Sequence, residues 1–225
     1  VKPGITVLAA HEVSAKVESK DGEPFVLRSN FRKASEDLKE ERNQVGVDEN
    51  NQPFVLPMGF ARYEDSLLLH GSTGSRLMRR IGSGIPICIE VTLLDGLVLA
   101  KSSFESSMNY RSVVIFGKGE IVEGEQKDFL LNRLTDHLAP GRSSEIRKST
   151  KKELAATLLV CVPLIETSVK IRIGPPKEAE NDLNAETWSG VIPFKLIAES
   201  PIAGDEYSKN SKTPESVEQI LKNYN

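Results

Sequence analysis

The chain predicts a mainly β fold, an antiparallel barrel with inserted helices, and three observations carry that prediction. From Gln52 onward, short apolar runs recur between turn-forming stretches, too closely spaced for a helical bundle. One connection, Asp95-Gly96 between Val91-Thr92-Leu93-Leu94 and Leu97-Val98-Leu99-Ala100, is a two-residue hairpin signal. Only two stretches interrupt the strands with helical apolar spacing, so hairpins dominate the connections and favour a barrel over a doubly wound parallel sheet.

The elements follow in order. Residues 1–47 form an N-terminal segment with a possible hairpin, Ala15 to Leu27 around Asp21-Gly22, and a charged stretch from Arg28 to Arg42 that reads as a solvated helix face or connector. Pro24-Phe25-Val26-Leu27 is echoed by Pro53-Phe54-Val55-Leu56, too short a match to define a repeat. The β domain spans 48–200. Its expected strands are Pro53 to Met58, Ser66 to Leu69, Pro86 to Leu94, Leu97 to Phe104, Tyr110 to Val122, Leu154 to Leu164 and Thr167 to Ile173. Pro53 and Pro57 push the first of these toward a sheet edge or an irregular pairing, because proline cannot donate to a ladder. One helix begins near Ser72, and a second runs from about Gly124 to Leu138 with Phe129, Leu130, Leu134 and Leu138 on its apolar face. Residues 201–225 hold a polar linker, Gly204 to Thr213, and a short helix with Val217, Ile220, Leu221 and Tyr224 at helical spacing.

Composition narrows the function. With 29 Lys and Arg against 32 Asp and Glu, the formal net charge of −3 gives no general attraction to nucleic acid or to an anionic membrane. The longest apolar run, Ala155 to Leu164, is too short to cross a bilayer, and the N-terminus lacks a secretory pattern, so the chain reads as soluble and cytoplasmic. Cys88 and Cys161 sit in separate β-like runs and read as buried thiols of a reducing compartment. His11 and His137 have no partners at metal-ligand spacing, and no nucleophilic triad or paired carboxylates stand out.

The chemistry concentrates between Leu67 and Arg80. Leu67-Leu68-Leu69 breaks into His70-Gly71-Ser72-Thr73-Gly74-Ser75-Arg76 and then into Leu77-Met78-Arg79-Arg80. This reads as a strand feeding a helix through a phosphate cradle: glycines allow close backbone approach, hydroxyls bond phosphate oxygens, and Arg76 supplies a positive fork. The plainer alternative is that Ser72 or Thr73 simply caps a surface helix.

Three further blocks follow: Tyr110-Arg111-Ser112-Val113-Val114-Ile115-Phe116-Gly117, Lys170-Ile171-Arg172-Ile173-Gly174-Pro175-Pro176, and Trp188-Ser189-Gly190-Val191-Ile192-Pro193. In this order, and together with the Leu67–Arg80 stretch, they resemble the pyridoxamine 5′-phosphate oxidase-like split-barrel flavoproteins, in the flavin-nucleotide-binding branch related to nitroimidazole-resistance proteins. The resemblance runs from about Gln52 to Phe194. It implies a six-stranded antiparallel split β-barrel that dimerises, with FMN held at the subunit interface. Phe54, Val55, Leu56, Pro57 and Met58 resemble the strand beside the isoalloxazine ring, and His70, Gly71, Ser72, Ser75 and Arg76 the phosphate turn. Tyr110, Arg111 and Ser112 resemble the polar opening of the strand that closes the site, and Trp188 either covers the ring or lies in the dimer contact.

Departures from the family pattern matter. Ser75-Arg76-Leu77 replaces the Ser-Arg-Lys of the oxidases proper, Met58 stands where they tend to have lysine, and their C-terminal substrate signature is not evident. The expected function is therefore an FMN-dependent oxidoreductase acting on a small planar substrate, and not vitamin B6 oxidation. Two alternatives stay open: a non-catalytic binder of FMN or a related ligand such as pyridoxal phosphate, and haem handling. At single residues, His70 either contacts the ligand or satisfies a turn carbonyl, Arg111 either meets the flavin or forms an interface salt bridge, and Lys170 and Arg172 either receive an anion or form a solvated edge.

Overall fold

The computed structural model describes residues 5–9 and 55–224 of the 225-residue chain. In chain order the elements are β1 (Ile5–Ala9), β2 (Val55–Met58), β3 (Phe60–Tyr63), β4 (Ser66–Ser72), α1 (Arg76–Gly82), β5 (Pro86–Leu99), β6 (Ser107–Lys118), β7 (Glu120–Ile121), α2 (Glu125–Leu138), α3 (Arg142–Glu145), α4 (Lys151–Ala156), β8 (Thr157–Pro163), β9 (Glu166–Arg172), β10 (Gly190–Pro193), α5 (Glu206–Lys209) and α6 (Glu215–Tyr224). The described residues divide into two compact units, and the chain passes back and forth between them: residues 5–9, 55–58, 86–117 and 165–195 form the first, and residues 59–85, 118–164 and 196–224 the second.

The first unit holds a six-stranded sheet ordered β2-β1-β5-β6-β9, with β10 also paired to β5. β2 ends that sheet, as its proline predicts, with Pro57 opposite Leu8. β9 ends it on the other side, antiparallel to β6 from Tyr110↔Arg172 to Phe116↔Glu166. The second unit holds a four-stranded antiparallel sheet ordered β3-β4-β8-β7. The expected β-rich, largely antiparallel fold with inserted helices is thus present. The strands lie in two sheets with free ends, and β1 runs parallel to both β2 and β5. The expected hairpin at Ala15–Leu27 and the charged stretch after it lie outside the described residues.

One expectation is overturned. Asp95 and Gly96 do not turn the chain; they lie inside β5, a single 14-residue strand. Both residues serve the extended form. A Cβ at Gly96 would fall 2.6 Å from the Ile192 carbonyl oxygen, so glycine lets β10 approach closely, with Gly96 opposite Pro193. Asp95 receives a two-pronged bond from Arg111 on neighbouring β6, Nε to Oδ2 at 3.0 Å and Nη2 to Oδ1 at 2.9 Å.

A second correction concerns the strand expected from Leu154. Residues 151–156 are α4, and β8 starts only at Thr157. A reciprocal capping box sets this helix: Glu153 N–H donates to Thr150 Oγ1 at 3.2 Å, and Thr150 N–H donates to Glu153 Oε2 at 2.8 Å. Arg147 also binds both oxygens of Glu153, and this pairing, with the Thr150 bonds, holds the carboxyl well below the usual carboxylate range.

The core of the second unit gathers Ala61, Leu68 and Leu159 from the sheet with Leu130 and Leu134 from α2. α2 matches its expected span, with Leu130 and Leu134 buried, whereas Phe129 and Leu138 at the edges of its apolar stripe stay exposed. The tail docks through α6: the buried Ser216 donates its N–H (3.0 Å) and its hydroxyl (2.5 Å) to the Glu145 carboxylate, which holds that group below its ordinary value. No helix among the described residues is long and apolar enough to cross a membrane.

Candidate functional site

In the second unit, β4 delivers the chain into the turn singled out in the sequence. Leu67, Leu68 and Leu69 are fully buried, and pairing with β8 runs through His70↔Leu159 and Gly71↔Leu158 to Ser72↔Thr157. Thr73 then anchors the turn to the end of α4, donating both its N–H (2.9 Å) and its hydroxyl (3.2 Å) to the Ala156 carbonyl. Ser75 is the N-cap of α1, its Oγ accepting the Met78 N–H at 3.3 Å; the cap is therefore neither Ser72 nor Thr73. Ser72 closes the turn from the other side, with its carbonyl accepting the Ser75 N–H at 2.9 Å and its Oγ the Gly74 N–H at 3.1 Å.

These bonds decide what the turn can offer. Ser72 and Ser75 use their hydroxyl oxygens as acceptors, so each hydroxyl keeps its proton to donate outward. Arg76, exposed at the first helical position, brings a guanidinium to the same end of α1. At Gly71 a Cβ would lie 2.6 Å from Cγ of the buried Met78, so its bare backbone also accommodates helix packing. Leu77, which stands where the resembling family carries a second basic residue, is buried beside Met78 and Ile81 on the inner face of α1. His70 is exposed on β4, and partial desolvation lowers its imidazole pKa below the ordinary value, which favours the neutral ring.

The other expected site residues lie in the first unit. Strand alternation separates Tyr110, Arg111 and Ser112: Tyr110 and Ser112 line one face of the sheet, while Arg111 is engaged with Asp95. On the Tyr110 face, residues of β5, β6 and β9 enclose an open groove of about 530 Å³. Its apolar lining includes Leu94, Met108 and Val114, and its polar groups include Glu90, Thr92, Ser112, Ser168 and Lys170. The Thr92 hydroxyl bonds Glu90 Oε1 at 3.0 Å and Ser112 Oγ at 2.8 Å, and Lys170 Nζ sits 5.8 Å above the Tyr110 ring centroid. Period-two alternation along Glu90-Thr92-Leu94 and Met108-Tyr110-Ser112-Val114 was the signal for this groove. The turn-like Asp95-Gly96 pair masks it.

Of the remaining expected residues, Phe54 lies outside the described residues. Val55 and Leu56 pair in β2 with Thr6 and Val7, Pro57 is exposed, and Met58 is partly buried at the strand end. Trp188 is 65% exposed, with its indole against the Gly190 backbone beside β10. No cluster of three or more His, Cys, Asp or Glu that could hold a metal occurs among the described residues.

A family model for pyridoxamine 5′-phosphate oxidase matches residues 41–171, more than half of the chain. The chain belongs to the pyridoxamine 5′-phosphate oxidase family. Two solved structures of similar chains extend the comparison. The first, described as the FAD and heme binding protein from Mycobacterium smegmatis, is 39% identical, with a TM-score of 0.74; the match covers 77% of this chain and 86% of that one. The second, the flavocytochrome Anf3 from Azotobacter vinelandii, is 35% identical with a TM-score of 0.71, over 79% of this chain and 81% of that one. No curated protein matches the chain. Within the family, Leu77 marks how this member departs from the oxidase pattern, a core residue standing where the oxidases carry a second cation, while Arg111 pairs with Asp95 in its own sheet.

Proposed function

We propose that this chain is a flavin-binding split-barrel protein that uses FMN, or the adenylated form FAD, in an oxidoreductase reaction on a small planar substrate, as a cytoplasmic homodimer with the cofactor at the subunit interface. The observation that carries this reading is the β4–α1 turn, where two hydroxyl donors and Arg76 meet in a chain 39% identical to an FAD and heme binding protein.

The residues fit a phosphorylated flavin. Ser72 and Ser75 donate to phosphate oxygens, and Arg76 balances the charge. The neutral His70 ring supplies a hydrogen bond without adding a second fixed cation. A bound flavin supplies hydride and single-electron chemistry; the protein supplies position, shielding and polarity. Separately from the turn, the Tyr110 groove of the first unit has an apolar lining that suits a flat molecule, with Ser112 and Lys170 among its polar groups.

A second reading, that the chain also carries haem, is favoured by the names of both similar proteins, an FAD and heme binding protein and a flavocytochrome. On that reading His70, exposed and with its imidazole favoured in the neutral form, would hold the haem instead of contacting the flavin.

One measurement tests both readings. The visible spectrum of the purified chain, followed by mass identification of what heat releases, is expected to show flavin bands, with a Soret band if haem is present. In Arg76→Ala the flavin affinity is expected to fall about tenfold, the loss of one charge-assisted contact, with unchanged circular dichroism. Unchanged affinity in that variant overturns the phosphate assignment, and a colourless chain that takes up neither FMN nor FAD overturns the flavin reading.

A further inference from the structure

A second cleft in the first unit lies away from the Tyr110 groove. It is an open cavity of about 420 Å³ between the β5–β6 connection and the segment that follows β9, lined by Phe104, Glu105, Ser107, Arg172, Ile173 and Lys177, among others.

The walls are built rather than incidental. The β5–β6 connection is closed on itself: Ser106 Oγ donates to the Ser102 carbonyl at 2.9 Å and accepts the Ala100 N–H at 3.0 Å, while Ser102 Oγ accepts the Glu105 N–H at 3.3 Å. It is tied to the opposite wall through Lys101, whose N–H reaches the Glu178 carboxylate at 3.0 Å and whose Nζ reaches the Leu183 carbonyl at 2.6 Å. Arg172 is held by Asn109, a buried polar residue that accepts from Arg172 Nη1 at 2.7 Å and donates to the Gly174 carbonyl at 3.1 Å. One end of the guanidinium fork is thereby fixed. Its remaining N–H groups have no protein partner among the described residues.

Into this frame the chain places an unusual set of groups. Phe104 on the β5–β6 connection is 92% exposed and Ile173 just after β9 is 78% exposed, a large apolar cost on walls otherwise secured by hydrogen bonds. Two cations, Arg172 and Lys177, stand beside one carboxylate, Glu105, and one hydroxyl, Ser107. A bare anion would meet Glu105, and an apolar molecule would strand the two cations. A ligand that satisfies all of them has a flat face for Phe104, an anionic group for Arg172 and Lys177, and hydroxyl donors for Glu105.

We propose that this cleft binds a nucleoside 5′-phosphate, with its base on Phe104, its phosphate on Arg172 and Lys177, and its ribose hydroxyls toward Glu105. The same chemistry has two sources: the adenylate half of FAD, or a separate nucleotide such as a dinucleotide electron donor. Direct binding to the cleft does not depend on the flavin reading, whereas the first source rests on it.

The test is isothermal titration of the full chain with 5′-AMP and with adenosine. Phe104→Ala and Lys177→Ala are the principal variants, because both side chains are exposed; Arg172→Ala is added with circular dichroism as its folding control. Saturable AMP binding, weakened about tenfold in each variant and much weaker for adenosine, is the expected result. FMN and FAD affinities measured on the same proteins separate the sources: a loss for FAD alone identifies the adenylate half, and unchanged flavin affinities identify a separate nucleotide. Absence of AMP binding, equal binding of adenosine, or AMP affinity unchanged in Phe104→Ala and Lys177→Ala overturns the proposal. AMP binding by a chain that takes up no flavin leaves it standing while the flavin reading falls, and flavin binding without AMP binding does the reverse.

Discussion

At single residues the structure redistributes chemistry that sequence motifs group together. Tyr110, Arg111 and Ser112 are adjacent in the chain, yet strand geometry gives Tyr110 and Ser112 to the groove and Arg111 to Asp95. Gly71 and Leu77, which sit within the phosphate motif, also serve packing, against Met78 and within the core. Ser75 caps α1, a role that Ser72, Thr73 or Ser75 could fill on residue type alone. Cys88 shows how burial decides reactivity. Its thiol is almost fully buried in β5, and desolvation, reinforced by nearby Glu90, pushes it up to about 11. At pH 8 only about one part in a thousand is thiolate. A thiol reagent at that pH is therefore expected to leave Cys88 unmodified in the native chain and to modify it after denaturation, read by mass spectrometry. Because the neutral thiol is the form the fold favours, stability is fully present below the ordinary thiol value near 9 and falls as pH rises from there through about 11.

At the level of elements, regular alternation and local caps were legible, and long-range demands were not. The edge position of β2 followed from Pro57, and α2 was delimited by its apolar stripe. The Thr150-to-Glu153 spacing of a capping box was also present in the sequence, but the apolar residues after it read as a strand. Asp95-Gly96 misleads because a two-residue signal cannot report partners from elsewhere in the chain: β10, about a hundred residues on, pairs alongside Gly96, and Arg111 of β6 engages Asp95. A direct consequence is that Gly96→Val should displace β10. Its Cβ would press on backbone atoms at 2.6 Å and 3.1 Å, which cannot rotate away as a side chain can. The expected cost is about 1–3 kcal/mol, measured by denaturant unfolding, and a neutral result would show that β10 is not held in this register.

Across the whole molecule, the two units are assembled from alternating stretches of chain, so that no early stretch contains a complete sheet. A chain stopped after Gly117 lacks β9 and β10 and leaves β6 and β5 without those neighbours, whereas one stopped after Lys195 retains every described strand. Circular dichroism is expected to show the shorter fragment unfolded and the longer one β-structured; a folded shorter fragment would mean that the first sheet is stable without two of its strands. The pairings that complete the sheets join Ser66 to Pro163 and Leu99 to Gly190. Such distant partners delay folding, because the entropy of closing large loops must be met before the ladders can form. On the ribosome, β5 emerges long before β10, and β4 long before β8. The nascent polypeptide thus carries unsatisfied apolar strands through much of its synthesis, and its yield in a cell should respond to translation speed and chaperone supply more than its native stability alone would indicate.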